Sequence, residues 1–205
     1  TGVELQPNLR VLWTPSAHQT VWGALSRAVR TPSRAERDAT VDLQTTPPGT
    51  AQNPGPLPIL AHVVPNHGLS SESVVSAELG YRAQLGSRLS LDLAAFSSRY
   101  RDLRSARSLG PTPDFTGPVP YIRYDSTTSN SMAARSSGIE LALDWRATAD
   151  WRLQGSYSHL RLKASRNGDP ANDGAAAAAE GNSPRQQLAL RSSLDLAGNQ
   201  QLDLR

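Results

Sequence analysis

The chain has 205 residues, no cysteine and a formal net charge of +3, so disulfide and thiol chemistry are excluded. Its positive charge is scattered arginine, with Lys163 the only lysine, and no basic block marks a nucleic-acid surface. No apolar run approaches the roughly 20 residues that a membrane-crossing helix needs.

In chain order, residues 8–14 alternate, with Leu9, Val11 and Trp13 on one face, which predicts a strand. A turn at 15–18 leads into a second strand over 19–29, where Gly23 is a candidate bulge. Over 30–72 the alternation disappears. That stretch holds Pro32, Pro47, Pro48, Pro54, Pro56, Pro58 and Pro65, which cannot donate to a sheet ladder, and it reads as a very long loop. The clearest signal spans 73–101. Ala77, Leu79, Tyr81, Ala83 and Leu85 alternate with Ser76, Glu78, Gly80, Arg82 and Gln84. After a two-residue turn at Gly86 and Ser87 the pattern resumes with Leu89, Leu91, Leu93 and Ala95.

A second long loop is predicted over 104–135, with Pro111, Pro113, Pro118 and Pro120. Residues 136–147 form a clean strand carrying Ile139, Leu141, Leu143 and Trp145 on one face, and 151–164 return after a tight turn. A third loop covers 165–182; its alanine run, 175–179, is at best a marginal helix. Residues 184–197 alternate again, Gly198 and Asn199 turn, and 200–205 begin another arm.

The prediction is all-β: about eight strands in four antiparallel hairpins. Each arm is nearer the nine to eleven residues that cross a bilayer than the five or six of an ordinary strand. Every hairpin closes in a few residues, whereas successive hairpins are joined by long loops. Short turns at one end and long loops at the other are the organisation of an up-and-down outer-membrane β-barrel. Trp13, Trp22, Trp145 and Trp151 all lie near short turns, the level of an interfacial aromatic girdle. Glu78, Arg82, Asp92, Glu140, Asp144, Arg152, Gln154 and Arg191 oppose the apolar positions and would line a polar interior. The rivals are a complete eight-stranded barrel with a structural or adhesive role, and a soluble β-sandwich binding module.

Several motifs resemble the barrel of TonB-dependent outer-membrane receptors. They are P-x-L-R-x-x-W-x-P from Pro7, W-G-A-x-S-R-A-x-R-T-P from Trp22, and E-L-G-Y-R-x-Q from Glu78. Further on come L-x-L-D-L-A-A-F-x-x-x-Y-x-D-L from Leu89, S-G-I-E-L from Ser137, and P-R-Q-Q-L-A-L-R-S-S from Pro184. The resemblance implies a barrel of about 22 strands around an N-terminal plug, of which this chain is a C-terminal-side piece. It implies location in the outer membrane of a Gram-negative bacterium, in contact with outer-membrane lipid. It further implies uptake of a scarce large ligand, most of all a ferric siderophore, with haem or cobalamin as alternatives. TonB would drive that uptake through a part of the protein, with its TonB box, that the chain is expected to lack.

No catalytic constellation emerges, and neither an enzyme activity nor a cofactor is expected. His62, His67 and Glu72 match no zinc spacing, and 136–138 resemble no nucleophile elbow. Asp169 and Asp173 lack the rest of a calcium loop. The ligand-binding candidates lie in the long loops: Arg30 and Arg34, with Arg37, in the first; Tyr121, Arg123 and Tyr124, with Arg104 and Arg107, in the second. Guanidinium forks and aromatic faces suit an anionic, aromatic chelate.

Overall fold

The computed structural model describes residues 2–166 and 173–205. Its body is an antiparallel meander of eight strands in the order β1-β2-β5-β6-β7-β8-β9-β10. These are β1 (Asn8–Ser16), β2 (Gln19–Arg30), β5 (Glu72–Leu85), β6 (Leu89–Asp114), β7 (Tyr121–Arg146), β8 (Trp151–Arg166), β9 (Gln186–Leu196) and β10 (Gln200–Leu204). Two further strands, β3 (Val41–Thr46) and β4 (Ile59–Val64), pair with each other, and β4 adds to the sheet in parallel along β7. Among the described strands β1 and β10 are paired on one side only, so this stretch is an open arc rather than a closed eight-stranded barrel. It is also a single sheet, which sets aside the sandwich.

Alternation dictates the two faces. The pairs Leu79↔Ala95, Leu93↔Leu141 and Tyr157↔Leu188 stack apolar side chains across β5 to β9 on one face. That face is open: Leu79 is 60% and Leu188 69% exposed. Among the described residues only Leu69, Ala83, Met132 and Ala134 are buried apolar side chains, so no globular core holds this fold together. The opposite face is concave and ionic. Arg82 Nε donates to Asp92 at 2.8 Å, Arg152 Nε to Asp144 at 2.9 Å, and Gln154 Nε2 to Asp144 at 3.0 Å. Arg191 reaches Asp203 at 3.3 Å. Such pairs keep polar groups satisfied where the sheet curves around them.

The turns at one end are short. Gly86 supplies φ +66° between β5 and β6, in a connection of 86–88 that is one residue longer than predicted. Gly198 and Asn199 both take positive φ between β9 and β10, as a tight hairpin bend requires. Gly23 pairs without a shift on either side; the irregularity in the first hairpin lies between Trp13 and Ser16 instead.

At the other end the chain is more ordered than the sequence suggested. The stretch 30–72 contains α1 (Arg34–Asp38), β3 and β4, with all seven prolines outside them. In 104–135, β6 and β7 simply continue as 26-residue strands past the rest of the meander, closing at 115–120. Beyond Arg101, β6 pairs only with β7, so its other edge is free. Pro111 and Pro113, two apart, both present their missing N–H to that edge, where proline is tolerated. In 165–182, α2 (Asp173–Gly181) forms a helix, tied to β8 by the Ala164 N–H donating to Glu180 Oε1 at 2.8 Å. Alanine propensity plus that anchor supports a helix that would be marginal alone.

Candidate functional site

The long-connection end carries a small sheet in the order β3-β4-β7-β6, built where β6 and β7 outgrow their neighbours. The step into it is an irregularity on both strands. Asp102 takes φ +56°, and β7 gains one residue between Met132 and Ser129 relative to β6. Burial accordingly shifts from Met132, Ala134 and Ser136 to Asp125, Thr127 and Ser129. Tyr121, Arg123 and Asp125 thereby continue the concave face. Tyr124, predicted beside them, points to the opposite face and is 44% exposed.

Hydrogen bonds fix the extension. Ser105 Oγ meets Ser129 Oγ and Ser131 Oγ, each at 2.8 Å. Asn130 Nδ2 donates to the Ser70 and Asp102 carbonyls, and Asn66 Nδ2 to the Thr128 carbonyl at 2.9 Å. On the concave side Tyr121 Oη donates to Asp114 Oδ2 at 3.0 Å, and Asp114 Oδ1 also accepts from the Thr116 hydroxyl and N–H. Arg123 Nε lies 2.8 Å from an Asp125 carboxylate oxygen, and His62 Nδ1 lies 2.6 Å from Asp42 Oδ1. Asp125 is largely buried while Arg123 is a third exposed. Among the described residues only the Nε of Arg123 has a hydrogen-bond partner, and both Nη groups are without one. This is a rigidly seated cation beside an aromatic hydroxyl.

The first connection makes a second cluster. Ser33 and Glu36 form a reciprocal cap on α1: Glu36 N–H donates to Ser33 Oγ, and Ser33 N–H to Glu36 Oε2 at 2.7 Å. The Glu36 carboxylate also takes Arg30 at 3.1 Å and Arg104 at 2.5 Å. The Ser33 N–H, then Arg30, hold the Glu36 carboxyl down to about 2. Arg30 Nε is further bound to Glu72 at 2.6 Å. Arg30, expected as a ligand contact, and Arg104 thus stand in internal ion pairs, with side chains 51% and 57% exposed. Arg34 and Arg107 are exposed, and among the described residues neither has a bonded carboxylate.

His62 and His67 are not brought together: they face Asp42 and Asp38 respectively, and Glu72 goes to Arg30. Asp169 lies outside the described residues. Of the four tryptophans, Trp13, Trp145 and Trp151 stand on the apolar face beside short turns. Trp22 does not. It pairs with Gly80 on the concave face, its indole lying where a Gly80 side chain would be, with Cε2 2.1 Å from an ideal Cβ. There it lines a recess with Glu78, Phe96 and Glu140.

Sequence reasoning missed Asp42, Asp114 and Asp125 as the partners that orient His62, Tyr121 and Arg123. The signal was present in the i, i+2 spacing of Arg123 and Asp125, which share a face once the segment is taken as a strand.

Among curated protein sequences none matches the chain. Solved structures do match. The siderophore receptor PirA from Acinetobacter baumannii is 16% identical with a TM-score of 0.64, over 94% of this chain and 27% of that one. The FrpB iron transporter from Neisseria meningitidis is 13% identical with a TM-score of 0.64, over 98% and 26%. PirA from Pseudomonas aeruginosa is 20% identical with a TM-score of 0.59, over 97% and 32%. At these identities the likeness is one of fold, and the chain spans about a quarter to a third of each relative's length. A family model for the β-barrel of TonB dependent receptor-like proteins matches residues 1–202. With eight strands of its meander lying along such barrels and nearly all its length inside the model, the chain belongs to the TonB-dependent receptor β-barrel family.

Proposed function

We propose that the chain is a C-terminal-side barrel segment of an outer-membrane receptor in a Gram-negative bacterium, serving uptake of a scarce large ligand, most fittingly a ferric siderophore. The observation that carries this is the pairing of an exposed apolar face with a concave ionic one, under ordered long connections at one end. In that reading the apolar face meets lipid, and Trp13, Trp145 and Trp151 sit at the periplasmic interface.

The ligand enters from the side of β3, β4 and the β6–β7 extension. Arg123 and Tyr121 meet it from the concave face, Arg34 from α1, and Tyr124 from the rim. A guanidinium with two free Nη groups beside a phenol suits an anionic catecholate or hydroxamate chelate. Ligand capture would then be relayed to a plug, which TonB rearranges. Haem and cobalamin remain the competing ligands.

The test is made in the complete receptor under iron starvation. Binding of a panel of ferric siderophores, haem and cobalamin is measured, with Arg123→Gln as the variant. The reading expects one ferric siderophore to bind and the variant to weaken it about tenfold or more, as loss of a charged hydrogen-bond donor does. Binding of none of the siderophores, with growth on them unchanged by gene deletion, would refute it.

A further inference from the structure

The outward face carries a row of basic residues, most of them without an ion-pair partner among the described residues. Register places Arg27, Val75, Arg99, Arg135 and Lys163 directly side by side across β2, β5, β6, β7 and β8. They share the face of Leu93, Leu141 and Ile139, because no pairing shift intervenes along these strands. Arg27 is paired with Glu4 at 3.6 Å. Arg99, Arg135 and Lys163 are exposed, and among the described residues no carboxylate forms an ion pair with any of them. Arg101 and Arg161 flank the row on the same face. Glu180, which lines a recess with Arg161 and Lys163, has its Oε1 on the Ala164 N–H.

Like charges directly opposite one another on a sheet are destabilising. This row joins two arginines and the chain's only lysine at strand spacing, about 5 Å apart. The concave face solves the same problem differently, seating Arg82, Arg152 and Arg191 each on an aspartate. The outward row therefore calls for anions from outside the chain.

Its height says which. From Leu89 to Arg99, and from Trp145 to Arg135, the strand runs about ten residues, roughly 34 Å along its axis. A tilt near 40° reduces that to about 25 Å, the height of a barrel's apolar band. The row thus lies one apolar thickness from the tryptophan level, where headgroups begin.

We propose that Arg99, Arg135 and Lys163 form a binding site for the phosphate groups of an anionic lipid in the leaflet at the long-connection end. Paired guanidinium forks on neighbouring strands clasp one phosphate, and Lys163 extends the site as a point charge. The proposal rests on the outer-membrane reading above, and the experiment separates the two.

The complete receptor is reconstituted in phosphatidylcholine nanodiscs containing a minor fraction of dansyl-labelled phosphatidylglycerol or dansyl-labelled phosphatidylcholine. Energy transfer gained on introducing a tryptophan beside the row, Ser137→Trp, opposite Ser97 and Arg161 on the same face, reports association of each labelled lipid at this level. The receptor is expected to prefer the anionic label. Arg99→Gln, Arg135→Gln and Lys163→Gln should each reduce that preference by about fivefold, while Arg99→Lys with Arg135→Lys retains most of it. Heat-modifiable migration on gels shows that each variant is a folded barrel. Insertion with equal transfer from both labels overturns the lipid site alone. Sensitivity of inorganic phosphate binding to these variants, without lipid preference, overturns it too. Failure to insert into either disc overturns the outer-membrane reading together with it.

Discussion

Replacing Glu36 by alanine should loosen the first long connection without weakening the barrel. Among the described residues Glu36 is the one carboxylate that ties α1 to both β2 and β6, through Arg30 at 3.1 Å and Arg104 at 2.5 Å. Its side chain is 11% exposed, whereas those of Arg30 and Arg104 are 51% and 57% exposed. The two ion pairs are therefore worth about half a kcal/mol each. Loss of the carboxylate's own half of the cap, its acceptance from the Ser33 N–H, adds about 1 kcal/mol. Together about 2 kcal/mol should be lost, roughly a 30-fold change in local opening. Hydrogen exchange on the complete receptor in detergent reads this directly. The Arg37, Ala39 and Asn66 amides, bonded to Ser33, Ala35 and Arg37 carbonyls, should exchange about 30-fold faster. Amides of Leu91 and Leu141, deep in the meander, should not change. Unchanged exchange at all three sites, or an equal loss in the barrel strands, would refute the reasoning.

The same carboxylate sets a pH window. Because its folded value is depressed to about 2, its contribution is complete above the ordinary value near 4.5 and fades as pH falls from there to about 2. Proteolytic nicking between β2 and β5 should therefore stay constant from neutrality to about pH 5 and rise below it, and Glu36→Gln should reduce that rise, the remainder coming from Glu72, which Arg30 also holds below the usual carboxylate range. Gly80→Val should expel the Trp22 indole, shift its fluorescence and cost about 1–3 kcal/mol. Adding Trp22→Ala should recover part of the loss, as a coupled pair does. At Gly138 an added Cβ would lie 2.4 Å from the His159 carbonyl oxygen and 2.8 Å from Phe96, and the carbonyl cannot rotate away. Gly138→Ala should lower the thermal midpoint clearly, whereas Gly23→Ala, with 3.7 Å of room, should not.

The eight-strand meander was legible because a sheet that is apolar on one face and polar on the other imposes a strict period of two over long arms. Leu89 to Ala95 and Ile139 to Trp145 show that period on sight. The outer end was not legible, for three different reasons. The six-residue strands β3 and β4 are too short for periodicity to separate them from loop, and seven prolines around them dominate the local signal. In the β6–β7 extension, Pro111 and Pro113 argue against a strand until it is known that they face a free edge. The extra residue in β7 also changes which parity faces inward, which puts Tyr121 and Arg123 on the concave face, and Tyr124, one residue on, falls on the other by simple alternation. For Trp22 the misreading was one of face: closeness to a turn fixes height along a strand, and Gly80 opposite it, an empty seat for an indole, fixes the side. Arg30 was visible as a charge, but its two carboxylates arrive from 6 and 42 residues away, beyond any local pattern.

The central claim, that the apolar face of this sheet lies in lipid and the other faces a polar interior, is tested most directly at two adjacent residues. Leu93 lies mid-band on the outward face, 41% exposed and paired with Leu141. Ala94 faces the concave recess opposite Glu140. In the complete receptor, the free energy of folding into phosphatidylcholine bilayers is measured for Leu93→Arg and Ala94→Arg. Leu93→Arg should lose about 2–4 kcal/mol, the cost of arginine on a lipid face at the midplane, while Ala94→Arg should lose less than 1 kcal/mol. Equal losses, or a larger loss at Ala94, would contradict the assignment of the two faces.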